Sequence, residues 1–289
     1  MDFLQPHTWA EALAAKAEHP GAVPIAGGTD VMVDVNFDRH RPEALLDLTR
    51  IGELTQWSVE GPAIRLGAGV TYTRIIDELG CRLPGLAMAS RTVGSPQIRN
   101  RGTVGGNLGT ASPAGDAHPA LLAAGAEVEV ASVRGTRRIP ITEFYTGVKR
   151  NALEADELIA AIWVTSASGP QQFSKIGPRN AMAIAVCSFG LALHPDRRAV
   201  GTGIGSAAPT PRVAAEAGRF LADALEEAGL WESRGPLPPS LAVEFGQRVA
   251  ASASPVDDVR GTAAYRLHSL AIMARRSVSW AWADYRKAA

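Results

Sequence analysis

Residues 101–118 read RGTVGGNLGTASPAGDAH, a stretch rich in glycine with three hydroxyl side chains, Thr103, Thr110 and Ser112, and one late carboxylate, Asp116. A backbone without Cβ atoms can approach a pyrophosphate closely and turn several N–H groups toward it, an anion nest that needs no charged side chain. Thr103, Val104, Gly105, Gly106 and Asn107 offer such a nest, with Thr103 and Asn107 adding polar contacts, and Thr110, Ser112 and Asp116 remain for sugar or ring hydroxyls. A second stretch, PIAGGTD at 24–30, repeats the theme: a glycine pair, then a hydroxyl and an acid. Neither stretch has the lysine of the Walker pattern or the G-x-G-x-x-G spacing of a first βα turn. Read singly, Gly27-Gly28 is compatible with an ordinary strand-to-helix turn, and Gly105-Gly106 with a bulge or a close backbone crossing.

Composition bounds what such loops can serve. A chain of 289 residues predicts about two domains, and 46% hydrophobic against 20% charged residues supports a sizeable core and excludes a disordered chain. Twenty-nine basic residues balance 29 acidic ones, so there is no electrostatic case for nucleic acid or an anionic membrane surface. Cys81 and Cys187 lie in apolar neighbourhoods outside any C-x-x-C pair; two buried free thiols are expected, and no four-cysteine set for an iron–sulfur cluster exists in this chain. His7, His19, His40, His118, His194 and His268 lack the paired spacing of metal ligands, so no metal site is predicted. The amino terminus MDFLQPHTWAEAL has no basic segment leading into an apolar run, and the expected location is the cytoplasm.

Along the chain, Thr8 and Glu11 form a capping box that opens a helix to about Glu18, with Glu11 reaching back to Thr8. Ala22–Ala26 then reads as a strand delivering the chain into the first glycine pair, and Ala44–Leu48 as another. Ile64, Leu66, Ala68 and Val70 alternate as a half-buried strand must. Helical character is predicted over 74–79, 84–93 and 119–124. Glu127–Val130 reads as a strand with one wet face, followed by strands at Ile139–Phe144 and Leu158–Val164. Small, turn-forming residues at 166–170 mark the best domain boundary. Beyond it come strands at Gln171–Ile176, Ile184–Leu193 and Gly201–Ser206, and a helix with Val213, Ala217, Phe220, Leu221 and Leu225 on one face. A rigid connector at 235–239 precedes a last helix from about Val259, in which Trp280 and Trp282 are expected to pack in the core.

PIAGGTDVMVD and IRNRGTVGGNLGTASPAGDAHPALLAAGAEVEV resemble the two flavin-binding segments of the FAD subunit of the molybdenum hydroxylases, the xanthine dehydrogenase and carbon monoxide dehydrogenase group. FSKIGPRNAMAIAV at 173–186 is similar to the opening of that family's carboxy-terminal domain, and DDVRGTAAYRLHSLAIMARR at 257–276 to its closing helix. The resemblance implies an α+β fold: a vanillyl-alcohol-oxidase (PCMH) type FAD-binding domain over 1–168, in subdomains of about 1–55 and 56–168, then a smaller α+β domain over 169–289. It carries the first flavin segment onto Pro24, Ile25, Ala26, Gly27, Gly28, Thr29, Asp30 and Val31, and the second onto Thr103, Val104, Gly105, Gly106 and Asn107. By position it adds Val93 and Ile159 near the flavin, Asp116 as an acid contacting the cofactor, and Lys175 on the segment leaving the flavin domain.

The same resemblance implies partners: a large molybdopterin-binding subunit and a small [2Fe-2S] subunit, in a dimer of heterotrimers, with NAD as one candidate electron acceptor. This chain would pass electrons rather than touch the organic substrate, and no catalytic triad or carboxylate dyad competes for a role. Some relatives insert a cysteine-bearing loop for an extra cluster, which two distant cysteines do not allow here. No His or Cys falls in either flavin segment, so FAD is expected to be non-covalent. Asn180 stands where the family often shows another basic residue after Arg179. Two competing readings are a self-contained flavin oxidoreductase of similar fold, like the peptidoglycan-precursor reductases, and a non-catalytic scaffold whose glycine loops are only turns.

Overall fold

The computed structural model describes residues 1–39 and 41–287; His40, one of the scattered histidines, lies outside the described residues. The chain opens on a small parallel sheet in which Ala44–Asp47 runs between Asp2–Leu4 and Val23–Ile25. That central strand is buried throughout, as a parallel strand covered on both faces must be. Helix Trp9–Glu18 is capped by Thr8, whose hydroxyl accepts the Glu11 N–H at 3.2 Å. Glu11 reaches one residue further back than expected, accepting the His7 N–H at 2.7 Å instead of that of Thr8.

A five-stranded antiparallel sheet follows, in the order Trp57–Glu60, Ala63–Gly67, Leu158–Thr165, Glu127–Ser132, Gly135–Pro140. Ile64, Leu66, Ala68 and Val70 are all buried, but the strand expected to carry them ends at Gly67, so Ala68 and Val70 lie in the turn that follows it. The wet face expected at Glu129 is closed, because the Arg65 guanidinium pairs with it at 2.6 Å and the Trp163 indole donates to it. The strand expected to run to Phe144 stops at Pro140, where the ring removes a ladder donor, and Ile141–Phe144 is a single helical turn.

The third sheet is antiparallel, with Cys187–His194 between Gln171–Ile176 and Ala199–Gly205; its central strand starts three residues later than the apolar run beginning at Ile184. Side chains on a strand alternate between faces, and this sheet uses its two faces differently. Phe189, Leu191, Leu193 and Ile204 bury against helices Ala215–Glu227 and Ala263–Lys287, with helix Pro239–Ala251 packed on both. Gly190, Gly201 and Gly203 form the other face, where helix Ala117–Ala124 lies so close that an added Cβ would strike the carbonyls of Pro119 or Ala123. Every residue of that helix is buried. It ties the strands Cys187–His194 and Ala199–Gly205 to the loop that ends at Asp116.

Two expectations fail for simple geometric reasons. Cys187 is buried, and burial pushes its thiol up to about 12, but Cys81 is exposed because Leu79 and Leu83 take the core positions on either side of it. Trp282 packs against Trp231 and Tyr285, whereas Trp280 is half exposed. Two helix residues apart, their side chains point about 200° from each other, so one stripe cannot hold both. Among the described residues no helix is long and apolar enough to cross a membrane, and no group of three His, Cys, Asp or Glu side chains is placed to hold a metal ion.

Candidate functional site

A cleft of about 720 Å³ separates the parallel sheet, at Val23 and Pro24, from the five-stranded sheet, at Leu158 and Ile159. Both glycine stretches line it. At the first, the strand Val23–Ile25 ends and the short helix Val31–Asn36 begins, with Gly28 at φ +72°, a conformation that favours glycine. The internal hydrogen bonds of this turn start only at Met32, whose N–H donates to Gly28 O at 3.2 Å. Among the described residues the N–H groups of Gly27, Gly28, Thr29, Asp30 and Val31 meet no acceptor, a row of donors on the wall of the cleft.

The second stretch is built differently. Residues 104–110 form a helix capped by Thr103, whose hydroxyl accepts the Gly106 N–H at 3.0 Å. The N–H of Gly105 donates to Ala68 O at 3.1 Å and that of Val104 to Val70 O at 3.4 Å. The donors expected to form a nest here are thus already engaged, and the stretch contributes a smooth wall rather than a row of free N–H groups. Thr110 bridges the two stretches, bonding Asp30 Oδ2 at 3.1 Å and Gly106 O at 3.1 Å.

Toward its other end the cleft adjoins a hollow of about 290 Å³ lined by Val93, Asn107, Gly115, Asp116 and Ile184, among others. Asp116 is buried there; Lys175 Nζ reaches its Oδ2 at 2.6 Å and the Thr92 hydroxyl reaches the same oxygen at 3.0 Å. Burial raises the carboxyl's pKa, and the Lys175 charge opposes that rise. Its Oδ1, the Asn107 Oδ1 and the Tyr72 hydroxyl are buried without a partner. Behind the same loop His118 is fully buried and shares a 2.8 Å hydrogen bond with the Tyr145 hydroxyl; burial holds its pKa down to about 3, so the ring is neutral.

Of the residues singled out in the sequence, the structure brings Pro24, Ala26, Gly27, Gly28, Thr29, Asp30, Val31, Val93, Thr103, Gly105, Gly106, Asn107, Thr110 and Ile159 to the cleft. Asp116 faces the adjoining hollow, and Lys175 lies beneath it as its ion-pair partner. Ile25 and Val104 do not line the cleft, and Val104 is a core residue. Sequence reasoning missed Lys16, Tyr72, Ile98 and Ile184, which also line it. Lys16 and Tyr72 come from helices outside the quoted segments and carry no local motif, whereas Ile98 and Ile184 lie within the quoted segments 98–130 and 173–186 but have no polar or glycine signal to single them out.

Residues 1–165 match the family described as the FAD binding domain in molybdopterin dehydrogenase. The nicotinate dehydrogenase FAD-subunit of Eubacterium barkeri is 37% identical over 210 residues, covering 70% of this chain and 71% of that one. The carbon monoxide dehydrogenase medium chain of Afipia carboxidovorans is 30% identical over 288 residues, 96% of this chain and 95% of that one. A solved carbon monoxide dehydrogenase from Hydrogenophaga pseudoflava superposes with a TM-score of 0.87 at 26% identity, covering 99% of this chain and 98% of that chain. With the family's FAD-binding region matched across more than half its length, this chain belongs to the FAD-binding family of the molybdopterin dehydrogenases, as the FAD subunit of a molybdenum hydroxylase-type oxidoreductase.

Proposed function

We propose that this chain holds FAD non-covalently in the cleft and serves as the electron-exit subunit of a three-component molybdenum hydroxylase. It would receive electrons from the iron–sulfur clusters of a small [2Fe-2S] partner and deliver them to NAD or another acceptor. A large molybdopterin subunit would carry the organic substrate, in a dimer of heterotrimers. The observation that supports this best is the row of unpartnered N–H groups from Gly27 to Val31, which suits a dinucleotide pyrophosphate and has no other acceptor among the described residues. Three buried polar atoms without partners, on Tyr72, Asn107 and Asp116, fit the polar edge of a bound flavin nucleotide in the same way.

When bound, FAD supplies the exchange between one-electron and two-electron carriers. The chain's own residues do the rest. Gly27–Val31 hold the pyrophosphate, Gly106 keeps the opposite wall free of side chains, and Val93 and Ile159 offer apolar contact. Lys175 orients the Asp116 carboxyl beside the hollow and favours its ionised form against the cost of burial. The boundary near residue 168 remains our division between the flavin domain and the carboxy-terminal domain.

The test is anaerobic. Xanthine, a second N-heterocycle, an aldehyde and carbon monoxide are each added to the isolated FAD-loaded chain, then to a mixture with both partner subunits, while flavin absorbance is followed. Bleaching only in the mixture is the expected result. Bleaching of the isolated chain by any of these would make it a self-contained oxidoreductase.

A further inference from the structure

Lys16 is a lysine in the wrong place for a surface helix. It sits in the helix Trp9–Glu18, on the face that carries the fully buried Ala12, and is itself only 7% exposed. Its Nζ donates to Pro20 O at 2.6 Å and to Ala22 O at 2.7 Å. An ammonium has three N–H groups, and these two bonds leave one over. Among the described residues no carboxylate lies within ion-pair distance of it; the nearby Asp156 is engaged by Arg134 at 2.7 Å. A buried cation without a carboxylate is costly unless something else supplies an acceptor. Lys16 also lines the cleft, beside Pro20, Val23 and Pro24.

The cleft has a direction. Val93, Ile98, Asn107, Ala114, Gly115 and Ile184 belong to both the cleft and the hollow where Asp116 sits, so these mark one end. The donors of Gly27–Val31 lie along its wall. Gly27, just past the strand Val23–Ile25, crosses Arg101 in the helix that carries Ile98 of the hollow. Lys16 is bound to Ala22 O at the opposite end of that strand and touches the cleft but not the hollow, which puts it on the side of the glycine turn away from the hollow. A dinucleotide lying along this line, with its ring near Asp116 and its pyrophosphate on the glycine turn, would bring its adenosine half toward Lys16. The two carbonyls already bound fix the ammonium in position, so its remaining N–H is pre-aimed at no entropic cost to the long side chain.

We propose that Lys16 is a cofactor-binding residue that donates its free N–H to an acceptor atom of the adenosine half, a ribose oxygen or a ring nitrogen. Through this bond it makes the site select a flavin dinucleotide over a mononucleotide. The inference rests on the flavin reading above. It also explains why a lysine, and not an apolar residue, occupies a buried helix position next to a strand that leads into the glycine turn.

Four lysines make the wild-type protein a convenient reporter. With lysine labelled at the ε-carbon, the Lys16 signal is assigned by its loss in Lys16→Gln, or by elimination from variants at the other three positions. Titration of the apoprotein with FAD is expected to shift this signal, and FMN, which lacks the adenosine half, is expected to leave it in place. In parallel, Lys16→Met and Lys16→Gln should weaken FAD binding by at least tenfold. An unmoved signal in the FAD-loaded protein, or an equal shift with FMN, would overturn the proposal even if both variants fail to fold. Wild-type protein that takes up no FAD at all would overturn the flavin reading itself, a result distinct from FAD binding that leaves Lys16 unmoved.

Discussion

The two glycine pairs look alike in sequence and do different work. In each, the first glycine is a crossing point: a Cβ on Gly27 would fall onto the Arg101 carbonyl, and one on Gly105 would lie 2.6 Å from Ala68 O and 2.8 Å from Ala68 Cα. In each, the second glycine faces outward: Gly28 would meet only side-chain atoms of Met32 and Ile25, and Gly106 only Thr103 Oγ1 at 3.1 Å. The pairs part company in their N–H groups. The first leaves a row of donors to the cleft, whereas the second spends its donors on Ala68, Val70 and Thr103. A glycine pair is therefore two separate requirements, one for packing and one for the ligand, and only the second concerns the cofactor.

The largest expected effect lies at the crossings. Gly27→Ala and Gly105→Ala each press a methyl group into backbone that cannot yield as a side chain would. Each should destabilise the protein by about 3 kcal/mol or more, the upper range of overpacking, whether or not FAD is present. Thermal unfolding of the apoproteins measures this. Apoproteins as stable as wild type would dissolve the distinction between first and second glycines.

Gly106→Val should do the reverse. Valine is no worse than glycine in a helix, and a Cβ there would meet only Thr103 Oγ1, the open space around it being the cleft itself, so the fold should persist. FAD affinity should fall at least 100-fold because the branched side chain occupies the wall against which the cofactor must lie. Flavin content at the wild-type level in soluble Gly106→Val protein would remove the second stretch from the site.

How much of this was legible beforehand follows from where each interaction comes from. The absence of a side chain is written into the sequence, so the glycine pairs, and through them the cleft and most of its lining, could be read directly. Whether a given N–H is free cannot be read, because the acceptors for Gly105 and Val104 are Ala68 and Val70, more than thirty residues upstream. The same limit hid Lys16, whose burial depends on tertiary packing of an otherwise unremarkable helix. It also hid the role of Gly190, Gly201 and Gly203, which read as ordinary strand residues until helix Ala117–Ala124 is laid on them. Cys81 and Trp280 were misplaced for the opposite reason, since their neighbourhoods are apolar but the phase of the helix or turn is set one or two residues away.

The second stretch is backed by His118, and that makes its stability sensitive to acid. The ring's pKa is about 3 in the folded protein against an ordinary value of 6.5, so the unfolded chain binds the proton first as pH falls. Stability from this group is complete above pH 6.5 and is lost on going down toward pH 3, by about 2 kcal/mol between pH 6.5 and pH 5. Chemical denaturation of wild type and His118→Gln across that range should show the wild type losing about this much more. Parallel curves, or an imidazole found protonated by NMR at pH 5, would contradict the burial argument.

The smallest effect is the most diagnostic of how the second stretch works. Thr103→Ala removes the hydroxyl that accepts the Gly106 N–H, and loss of such a cap costs about 1 kcal/mol, or about 2–4 °C in a chain of this size. Thr103→Ser keeps the acceptor and should recover most of the loss. The same change frees one donor beside the cleft, making the second stretch more like the first. If the second stretch bound pyrophosphate through its N–H groups, that extra donor would tighten FAD. If it is a wall held in shape by its cap, a looser wall should weaken FAD by no more than about tenfold, well short of the loss in Gly106→Val. FAD titrations of the two Thr103 variants at one temperature decide this, and tighter binding in Thr103→Ala would reassign the second stretch from wall to nest.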